Sequence, residues 1–277
     1  MLVPLVIFAF YIWYPLVHGI VLSFSETKGF NIVGFAGLSN YEWIFNDPAF
    51  VKSIGNGFIY VFWSLLIGFI VPVVLAVIIN EIIQAKSFFR IALYFPTIVP
   101  ILATIVMWKF FMDPGNGGVL NAITLALGGH AFGYLQEEWA TIPLIVLTLT
   151  WKSAGATTLI YIARLKGISQ ELYEAAEMDG AGIWHRFTNI TLPQLLNLGR
   201  LLLILQVLAV FQLLVEPMIM TGGGPNNASN SMLLVNYYYA FRDFRIGQAG
   251  AVGVIVNLIL VALTIVYLRS TRENETN

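Results

Sequence analysis

Residues 171–195, ELYEAAEMDGAGIWHRFTNITLPQL, form the longest stretch of the chain that mixes charged with apolar side chains and is not itself a candidate membrane span. Ser169 precedes the stretch in a position to cap a helix, and glutamates follow in the first turns, where the positive end of the helix dipole favours carboxylates. Gly180 or Gly182 can end this helix, and a further turn or two can form before Pro193. The stretch therefore predicts an amphipathic elbow made of two short helices.

The rest of the chain is unusually apolar. Hydrophobic residues make up 58% and charged residues 10% of its 277 residues, whereas an ordinary soluble domain carries about a quarter charged residues. No long polar block interrupts the apolar segments, so we predict a single polytopic membrane domain over residues 1–277. The net charge of −1 argues against nucleic acid as a partner. The absence of cysteine excludes disulfides, thiolate metal sites and thiol catalysis.

Six segments are long and apolar enough to cross a bilayer, for which about 20 residues are needed. They are residues 2–24, 57–79, 91–112, 139–163, 198–220 and 247–268. We expect the first segment to be a span rather than a cleaved signal peptide, because no Lys or Arg precedes it and it is longer than the usual apolar part of such peptides. The predicted fold is an all-α polytopic membrane protein with six transmembrane helices and the elbow between spans four and five.

The basic residues indicate the orientation, because Lys and Arg near span ends stay on the cytoplasmic side. With both termini in the cytoplasm, eight basic residues lie in inner loops and five in outer loops. The inner residues are Lys86, Arg90, Arg164, Lys166, Arg186, Arg200, Arg269 and Arg272, and the outer residues are Lys28, Lys52, Lys109, Arg242 and Arg245. We therefore predict that both termini and the elbow are cytoplasmic. Interfacial helices usually carry Lys and Arg on their polar face, so this acidic elbow suits a basic groove on another protein better than anionic lipid.

The elbow also resembles a known family. EAA at 174–176, Gly180 after three residues, and ITLP at 190–193 after nine more have the full spacing of the EAA loop of permease subunits in binding-protein-dependent ABC importers. ELYEAAEMDGAG is similar to the carbohydrate branch, the maltose and glycerol-3-phosphate type. Three other stretches agree with that branch: VGFAGLSNYEWIFNDPAF, YFPTIVPILATIVMWKFF and MTGGGPNNASNSMLLVNYYYAF. The last resembles the F-type half of maltose permeases, and the resemblance covers about residues 2–269.

The resemblance implies that the EAA loop, residues 169–195, is a coupling helix seated in a cleft of a cytoplasmic ATP-hydrolysing subunit. Glu174 would pair with an arginine of that subunit, and Gly180 would form the break between the two helices. The other expected coupling residues are Tyr173, Ala175, Ala176, Met178, Asp179 and Phe187. The two alanines would permit close approach and the aspartate would serve the bend. The three large side chains would pack in the ATPase cleft, or equally would hold the elbow against its own spans.

The resemblance also implies the partners and the cargo. They are a second homologous permease subunit, two cytoplasmic ATP-binding subunits that hold ATP and Mg, an extracytoplasmic solute-binding protein and the lipid of a prokaryotic inner (plasma) membrane. The cargo would be a sugar, either an oligosaccharide or a disaccharide, with glycerol-3-phosphate or a related polyol phosphate as the alternative. We expect no cofactor and no enzyme activity in this chain, which has no G-x-x-x-x-G-K-[ST] phosphate loop. Its glycine-rich run, GGGPNNAS, falls on the outer side and either contacts the solute-binding protein or only connects two elements.

Polar residues inside spans suggest a substrate pathway, because they are costly there and by default mark a site or a buried pair. Gln212 and Glu216 lie one helical turn apart on the fifth span and so share a face, in a region where maltose-type relatives place sugar contacts. Gln212 is the first candidate. Asn257, Trp151 and Trp108 complete the predicted pathway, with amides and carboxylates for sugar hydroxyls and aromatic faces for the C–H surface of the ring.

Other polar residues have structural interpretations. Lys152 could pair with Glu216 or with the partner subunit, or its side chain could reach the interface. Gln206 could bond a neighbouring helix, a common use of amides in membranes. The three histidines lie in different regions, so we predict no metal site and no catalytic residue. The alternative functions are an ion-gradient-driven secondary transporter, against which the absence of a two-fold repeat argues, and a membrane scaffold without transport.

Overall fold

The computed structural model describes residues 2–81, 86–115 and 117–275 of the chain. Among these residues it contains fifteen α-helices, in chain order α1 (Leu2–Phe8), α2 (Tyr14–Ser23), α3 (Ser39–Asn46), α4 (Pro48–Trp63), α5 (Ile70–Glu81), α6 (Lys86–Ile98), α7 (Ile101–Phe111), α8 (Val119–Ala126), α9 (Glu138–Lys166), α10 (Gln170–Met178), α11 (Ile183–Arg186), α12 (Leu192–Val210), α13 (Val215–Met220), α14 (Met232–Tyr237) and α15 (Ile246–Glu275). Several helices are joined by short π-helical segments, at Ala9–Trp13, Ser64–Phe69, Phe187–Thr191 and Tyr238–Arg242. A 3₁₀ turn, Tyr134–Gln136, precedes α9. The chain is therefore mostly helical, as predicted.

Five continuous helical stretches in the described residues are long and apolar enough to cross a membrane. They are Val3–Ser23, Pro48–Asn80, Glu138–Lys166, Ile183–Val210 and Ile246–Ser270. The remaining predicted span, residues 91–112, is instead a pair of helices, Ser87–Ile98 and Ile101–Phe111, bent by 98° at the break between them. The spans number five, or six if the bent pair crosses once, so the six-span fold stays a prediction.

The bend between α6 and α7 follows from Pro100. Proline has no N–H to continue the helical ladder, and its ring pushes the preceding residue, Val99, towards extended backbone. Pro100 itself has φ −54° and ψ 139°, outside the helical region. A hydropathy window cannot detect such a break because Val99 and Pro100 are both apolar, so the prediction of a span over 91–112 missed the break within it.

The fifth predicted span, 198–220, is also interrupted. Helix α12 ends at Val210, and α13 begins only at Val215. Pro217 explains the interruption, because it has no N–H to donate to the carbonyl of Leu213 four residues earlier. The hydroxyl of Ser231 donates to the Leu213 carbonyl instead. The prediction of a continuous helix to residue 220 was therefore wrong at its C-terminal end.

The all-α prediction also missed a small β-hairpin. Strands β1 (Ser25–Lys28) and β2 (Asn31–Phe35) pair antiparallel across a turn in which Gly29 has φ +55°. Thr27 Oγ1 accepts a 3.1 Å hydrogen bond from the N–H of Gly247, which ties the hairpin to the start of α15. The sequence signal was a glycine, Gly29, shortly before the β-branched pair Ile32 and Val33.

The contacts divide the chain into two compact units. The first comprises Met1–Ile59, Gln136–Thr141 and Leu208–Asn277. In this unit α15 packs along α2 and also contacts α3 and α14. Gly250 permits the close approach of α15 to α2, because a Cβ at this position would lie 2.9 Å from the backbone nitrogen of Ser23.

The second unit comprises Tyr60–Leu135 and Ile142–Val207. Its buried core is formed where α5, α9 and α12 meet, by Ala76, Ile79, Tyr161, Ile162, Leu165 and Leu195. Gly155 on α9 lies against α6, since a Cβ there would come within 1.8 Å of the Leu93 carbonyl oxygen. A larger residue at 155 would force α6 and α9 apart.

Candidate functional site

The elbow begins with the capped helix that the sequence predicts. Ser169 has extended backbone angles, φ −61° and ψ 132°, and its hydroxyl accepts a 3.3 Å hydrogen bond from the backbone N–H of Glu171. This bond satisfies one of the backbone donors left free at a helix start. Helix α10 therefore starts at a defined residue.

The first helix of the elbow ends at Gly180, which has φ +76°. The N–H of Gly180 donates to the Glu177 carbonyl at 3.0 Å, and the N–H of Ala181 donates to the Ala176 carbonyl at 2.8 Å. This pair of bonds is the Schellman motif, which requires a left-handed residue at the position of Gly180. Gly182 then caps the start of α11, so of the two predicted terminators Gly180 ends the first helix and Gly182 begins the second.

Two of the predicted coupling side chains hold the elbow together internally. The hydroxyls of Tyr173 and Thr191 are hydrogen-bonded at 2.8 Å, which links α10 to the π-helical segment at Phe187–Thr191. Phe187 is half-buried, and its ring lies 5.6 Å from that of Trp184 between centroids. Tyr173 and Phe187 therefore both make contacts within the elbow itself.

The outer surface of the elbow carries three large apolar side chains with little cover. Met178 is 89% exposed, Ile183 is 80% exposed and Trp184 is 75% exposed. Glu174 is also exposed, with its Oε1 accepting a 2.9 Å hydrogen bond from Gln170. Exposed apolar clusters of this kind typically mark interaction sites. Ile183 and Trp184 were not among the predicted coupling residues. The sequence signal that could have identified them is a tryptophan next to His185 and Arg186 in a short amphipathic segment.

The remaining predicted coupling residues lie at or beside the break. Ala175 is exposed, Ala176 is half-buried and Asp179 is the last residue before Gly180. Between the two helices of the elbow runs a groove of about 450 Å³, lined by Ala176, Asp179, Gly180, Ala181, Gly182, His185, Arg186, Asn189 and Ile190. An ion pair between Arg186 and Glu177, at 3.1 Å, also joins the two helices. The elbow is thus a preformed unit with fixed internal contacts.

The structure does not place Gln212 and Glu216 on one helical face. Gln212 is exposed in the turn after α12, and its Nε2 donates to the Leu208 carbonyl at 3.0 Å. Glu216 is half-buried in α13, on the other side of the interruption. The predicted shared face was wrong because the helix ends at Val210. Both residues belong to the first unit.

Asn257 belongs to the same unit and faces a groove. Its Nδ2 donates to the Gly253 carbonyl of its own helix at 2.9 Å. The groove has a volume of about 460 Å³ and lies along α2 and α15, with Asn236 as a second amide in its lining. The lining is otherwise apolar or glycine, so the two amides are its polar groups.

Trp108 and Trp151 are brought together in the second unit. Their ring centroids are 6.0 Å apart with planes at 75°, an edge-to-face pair between α7 and α9. The buried Nε1 of Trp108 has no hydrogen-bond partner within the part of the chain that the structure describes. The pair is therefore packed through its rings, with one indole donor unused.

Two other polar side chains within the spans have structural roles. Gln206 Nε2 donates to both the carbonyl and the hydroxyl oxygen of Ser64, each at 2.7 Å, as expected of an amide that joins neighbouring helices. Lys152 Nζ donates to the carbonyl oxygens of Thr97 and Val99, at the break between α6 and α7. These are backbone partners rather than the carboxylate considered from the sequence.

The glycine-rich run is held by hydrogen bonds on what the predicted orientation makes the outer side. Lys52 Nζ donates to the Asn226 carbonyl at 2.7 Å and to Glu138 at 3.2 Å, and Asn226 Nδ2 donates to Glu138 at 2.7 Å. Asn56 Nδ2 donates to the Asn227 carbonyl at 2.8 Å. These bonds make the run a fixed connection between elements.

Comparison with known proteins identifies the family. Residues 83–272 match the family model described as binding-protein-dependent transport system inner membrane component. The diacetylchitobiose uptake system permease protein NgcF of Streptomyces coelicolor is 30% identical over 290 residues, covering 99% of this chain and 82% of that protein. The sn-glycerol-3-phosphate transport system permease protein UgpA of Yersinia pestis is 30% identical over 262 residues, 94% of this chain and 88% of that protein. The chain therefore belongs to the inner membrane components of binding-protein-dependent transport systems, which confirms the family predicted from the EAA spacing.

A solved structure agrees with this assignment at the level of the fold. The chain resembles a subunit in the crystal structure of a bacterial ABC transporter that imports the acidic polysaccharide alginate, with a TM-score of 0.87 and 24% identity. The match covers 99% of this chain and 94% of that one. Together with the apolar helices, the family makes this chain a multi-pass membrane protein.

Proposed function

We propose that the chain is the permease subunit of an ATP-driven importer that takes up an oligosaccharide or disaccharide from an extracytoplasmic solute-binding protein. The observation that carries the proposal is the elbow, a complete EAA loop folded as two capped helices with exposed apolar side chains. Its relatives support a sugar cargo, since they include permease proteins named for diacetylchitobiose and arabinooligosaccharides. Glycerol-3-phosphate, the solute named for UgpA, is the alternative cargo.

The elbow, residues 169–195, is the proposed contact with the ATPase. Met178, Ile183 and Trp184 would enter an apolar cleft on that subunit, and Glu174 would pair with an arginine there, since a carboxylate and a guanidinium form strong bidentate contacts. Burial of one such apolar side chain is worth about 1.5–3 kcal/mol. Three of them would together contribute about 5–9 kcal/mol, which is of the same order as the cost of association, so the pair between Glu174 and an arginine would add to the contact.

The elbow is well placed to pass on a movement of the ATPase. Its second helix continues without interruption into the span, as one helical stretch over Ile183–Val210. The bonds around Gly180 and the hydroxyl pair of Tyr173 and Thr191 keep the first helix fixed to that stretch. A displacement of α10 by a closing ATPase dimer would thus tilt the whole helix.

We further propose the assembly around the chain. The complete importer would contain a second, homologous permease subunit, two cytoplasmic ATP-binding subunits and the solute-binding protein. ATP and Mg would bind to the ATP-binding subunits, so this chain would have neither a cofactor nor an enzyme activity of its own. It would lie in a prokaryotic inner membrane with both termini in the cytoplasm, as one permease domain with the bent pair serving as the sixth span.

The proposed pathway uses the same residues as the sequence suggests. The amides of Gln212 and Asn257 and the carboxylate of Glu216 would contact sugar hydroxyls, because these groups form directed hydrogen bonds. Trp151 and Trp108 would present ring surface to the C–H faces of the sugar. The support is position: Trp151 and Asn257 lie within candidate spans, and Trp108 lies in the bent pair. Gln212 and Glu216 follow the span that ends at Val210.

Uptake in proteoliposomes tests the proposal. The chain is purified with its associated subunits, and labelled disaccharide is added with its binding protein outside the vesicles. Uptake that needs internal ATP and the binding protein supports the importer. Uptake that follows an imposed ion gradient without ATP would replace it with the secondary transporter.

A further inference from the structure

The break between α6 and α7 leaves backbone carbonyls without helical partners. The last four carbonyls of any helix have no N–H ahead of them in the helical ladder. At the end of α6 the chain turns at Pro100, so the carbonyls of Thr97 and Val99 cannot be satisfied by continuing the helix. Inside a bilayer, water cannot replace the missing donors. A bend of 98° at this place therefore needs a donor from elsewhere in the protein.

Lys152 supplies that donor. Its Nζ lies within hydrogen-bond distance of both carbonyl oxygens, at 3.3 Å from Thr97 and closer to Val99. In return, Thr97 Oγ1 donates to the Lys152 backbone carbonyl at 3.0 Å. A cation at a helix C-terminus is also favoured by the helix dipole. The Lys152 side chain thus stabilises the free carbonyls at the break through hydrogen bonds and through its charge.

The residues on either side of Lys152 hold the two arms of the bend. Trp151 packs edge-to-face on Trp108 of α7. Gly155 permits α6 to rest directly on α9 at Leu93, where any Cβ would collide with the carbonyl oxygen. Helix α9 therefore contacts both arms of the bent pair through Trp151 and Gly155, and it contacts the break itself through Lys152.

We propose that Lys152 is a positioning residue of the translocation pathway, which fixes the bend of α6–α7 so that Trp108 stays against Trp151. The inference rests on the proposed function, because it takes the tryptophan pair as part of the sugar pathway. Lysine within a span is costly, and at this position the cost is offset by the hydrogen bonds to the Thr97 and Val99 carbonyls. Loss of the ammonium group would leave Pro100 to keep the chain broken but nothing at the two carbonyls to fix the angle, so the bend would open and Trp108 would move with α7.

Spin labels can measure the bend directly. The chain has no cysteine, so Phe88→Cys and Phe110→Cys place two unique labels on exposed positions of α6 and α7. With 1.5 Å of rise per residue and a bend of 98° midway, the two backbone positions are ~22 Å apart at the observed bend and ~33 Å apart in a straight helix. The labelled chain is examined in the assembled complex with Lys152 unchanged, as Lys152→Met and as Lys152→Arg.

The proposal predicts different results for these two variants. Methionine fills the same space without a donor, so the distance should lengthen or broaden towards the straight form. Arginine keeps the charge and the donors, so the distance should stay near the wild-type value. An unchanged distance in Lys152→Met, or the same change in both variants, would overturn the proposal.

Transport provides the second measurement. In Lys152→Met the half-saturating sugar concentration should rise about tenfold, the factor that corresponds to about 1.4 kcal/mol of lost sugar contact once Trp108 leaves Trp151, with Lys152→Arg close to wild type. Lys166→Met, which removes a cation from the exposed end of the same helix, is the matched control and should transport normally. Wild-type half-saturation in Lys152→Met would also overturn the proposal. Absence of ATP-dependent uptake in the wild-type complex would overturn the proposed function, and the pathway role of Lys152 with it. The distances between the spin labels are measured without substrate, so they test the bend independently of the proposed function.

If Lys152→Met does not assemble, Lys152→Gln takes its place. The glutamine amide ends one bond short of the lysine nitrogen, so it reaches the two carbonyls only with stretched hydrogen bonds. A partial lengthening of the label distance is expected. A wild-type distance distribution in this variant would contradict a role for the ammonium group.

Discussion

Replacement of Gly180 tests how the elbow is built. The residue has φ +76°, and a Cβ added there would meet no atom within 4 Å. An alanine therefore causes no collision, and its cost is the left-handed backbone alone, about 1–2 kcal/mol. Gly180→Ala should destabilise the intact elbow by about that free energy. The apparent affinity for the ATPase should then fall roughly 5- to 30-fold.

Asparagine separates this backbone effect from the loss of glycine itself. It tolerates the left-handed region better than other non-glycine residues, so Gly180→Asn should bind the ATPase more tightly than Gly180→Ala despite its larger side chain. The assay is the concentration of purified ATPase needed for half-maximal binding to the permease in nanodiscs. If the affinity falls with side-chain size, so that Asn is worse than Ala, the conformational argument fails and a steric contact with the ATPase replaces it.

Three further changes test other parts of the account. Trp184→Ala should weaken ATPase binding by about 2 kcal/mol or more through lost apolar burial, measured in the same binding assay; an unchanged affinity would remove Trp184 from the contact. Gly155→Val should prevent α6 from resting at Leu93, and recovery of the folded protein at wild-type yield would contradict the close approach seen there. Tyr239 donates a 2.6 Å hydrogen bond to Asp47, so Tyr239→Phe should lower the free energy of unfolding by about 1 kcal/mol. Burial and Asp47 raise the pKa of the Tyr239 phenol. The contribution of this hydrogen bond to stability should therefore be complete below about pH 10, the pKa of free tyrosine, and decline above it. A thermal midpoint that is the same in the wild type and in Tyr239→Phe at every pH would refute the assignment.

The elbow could be predicted from sequence because its signals are local. Ser169 caps the first helix and Gly180 ends it, and each residue acts through backbone geometry within a few positions. Pro193, expected to follow the end of the second helix, lies instead inside the continuous helical stretch Ile183–Val210. The packing of the side chains was less predictable. Tyr173 lies inward because its hydroxyl is hydrogen-bonded to that of Thr191, eighteen residues away, and spacing within one helix carries no information about such a partner.

The interruptions of the spans were missed for a different reason. Pro100 and Pro217 are apolar, so a search for continuous apolar segments passes over them, although each lacks the N–H that a continuous helix needs. The separation of Gln212 from Glu216 follows from the second interruption. The partners of Lys152 could not be predicted, because the carbonyls that it binds become free only once α6 has ended.

The most direct test of the central claim is ATPase activity in proteoliposomes that hold this chain with its associated subunits, measured with and without sugar-loaded binding protein. The account predicts that the loaded binding protein stimulates ATPase activity in the wild type. This stimulation should be lost in a chain carrying Glu174→Ala with Gly180→Asp, although the variant chain still folds and enters the vesicles. If no ATPase accompanies the chain, or if stimulation survives the double substitution, the elbow is not the coupling element and the account is contradicted.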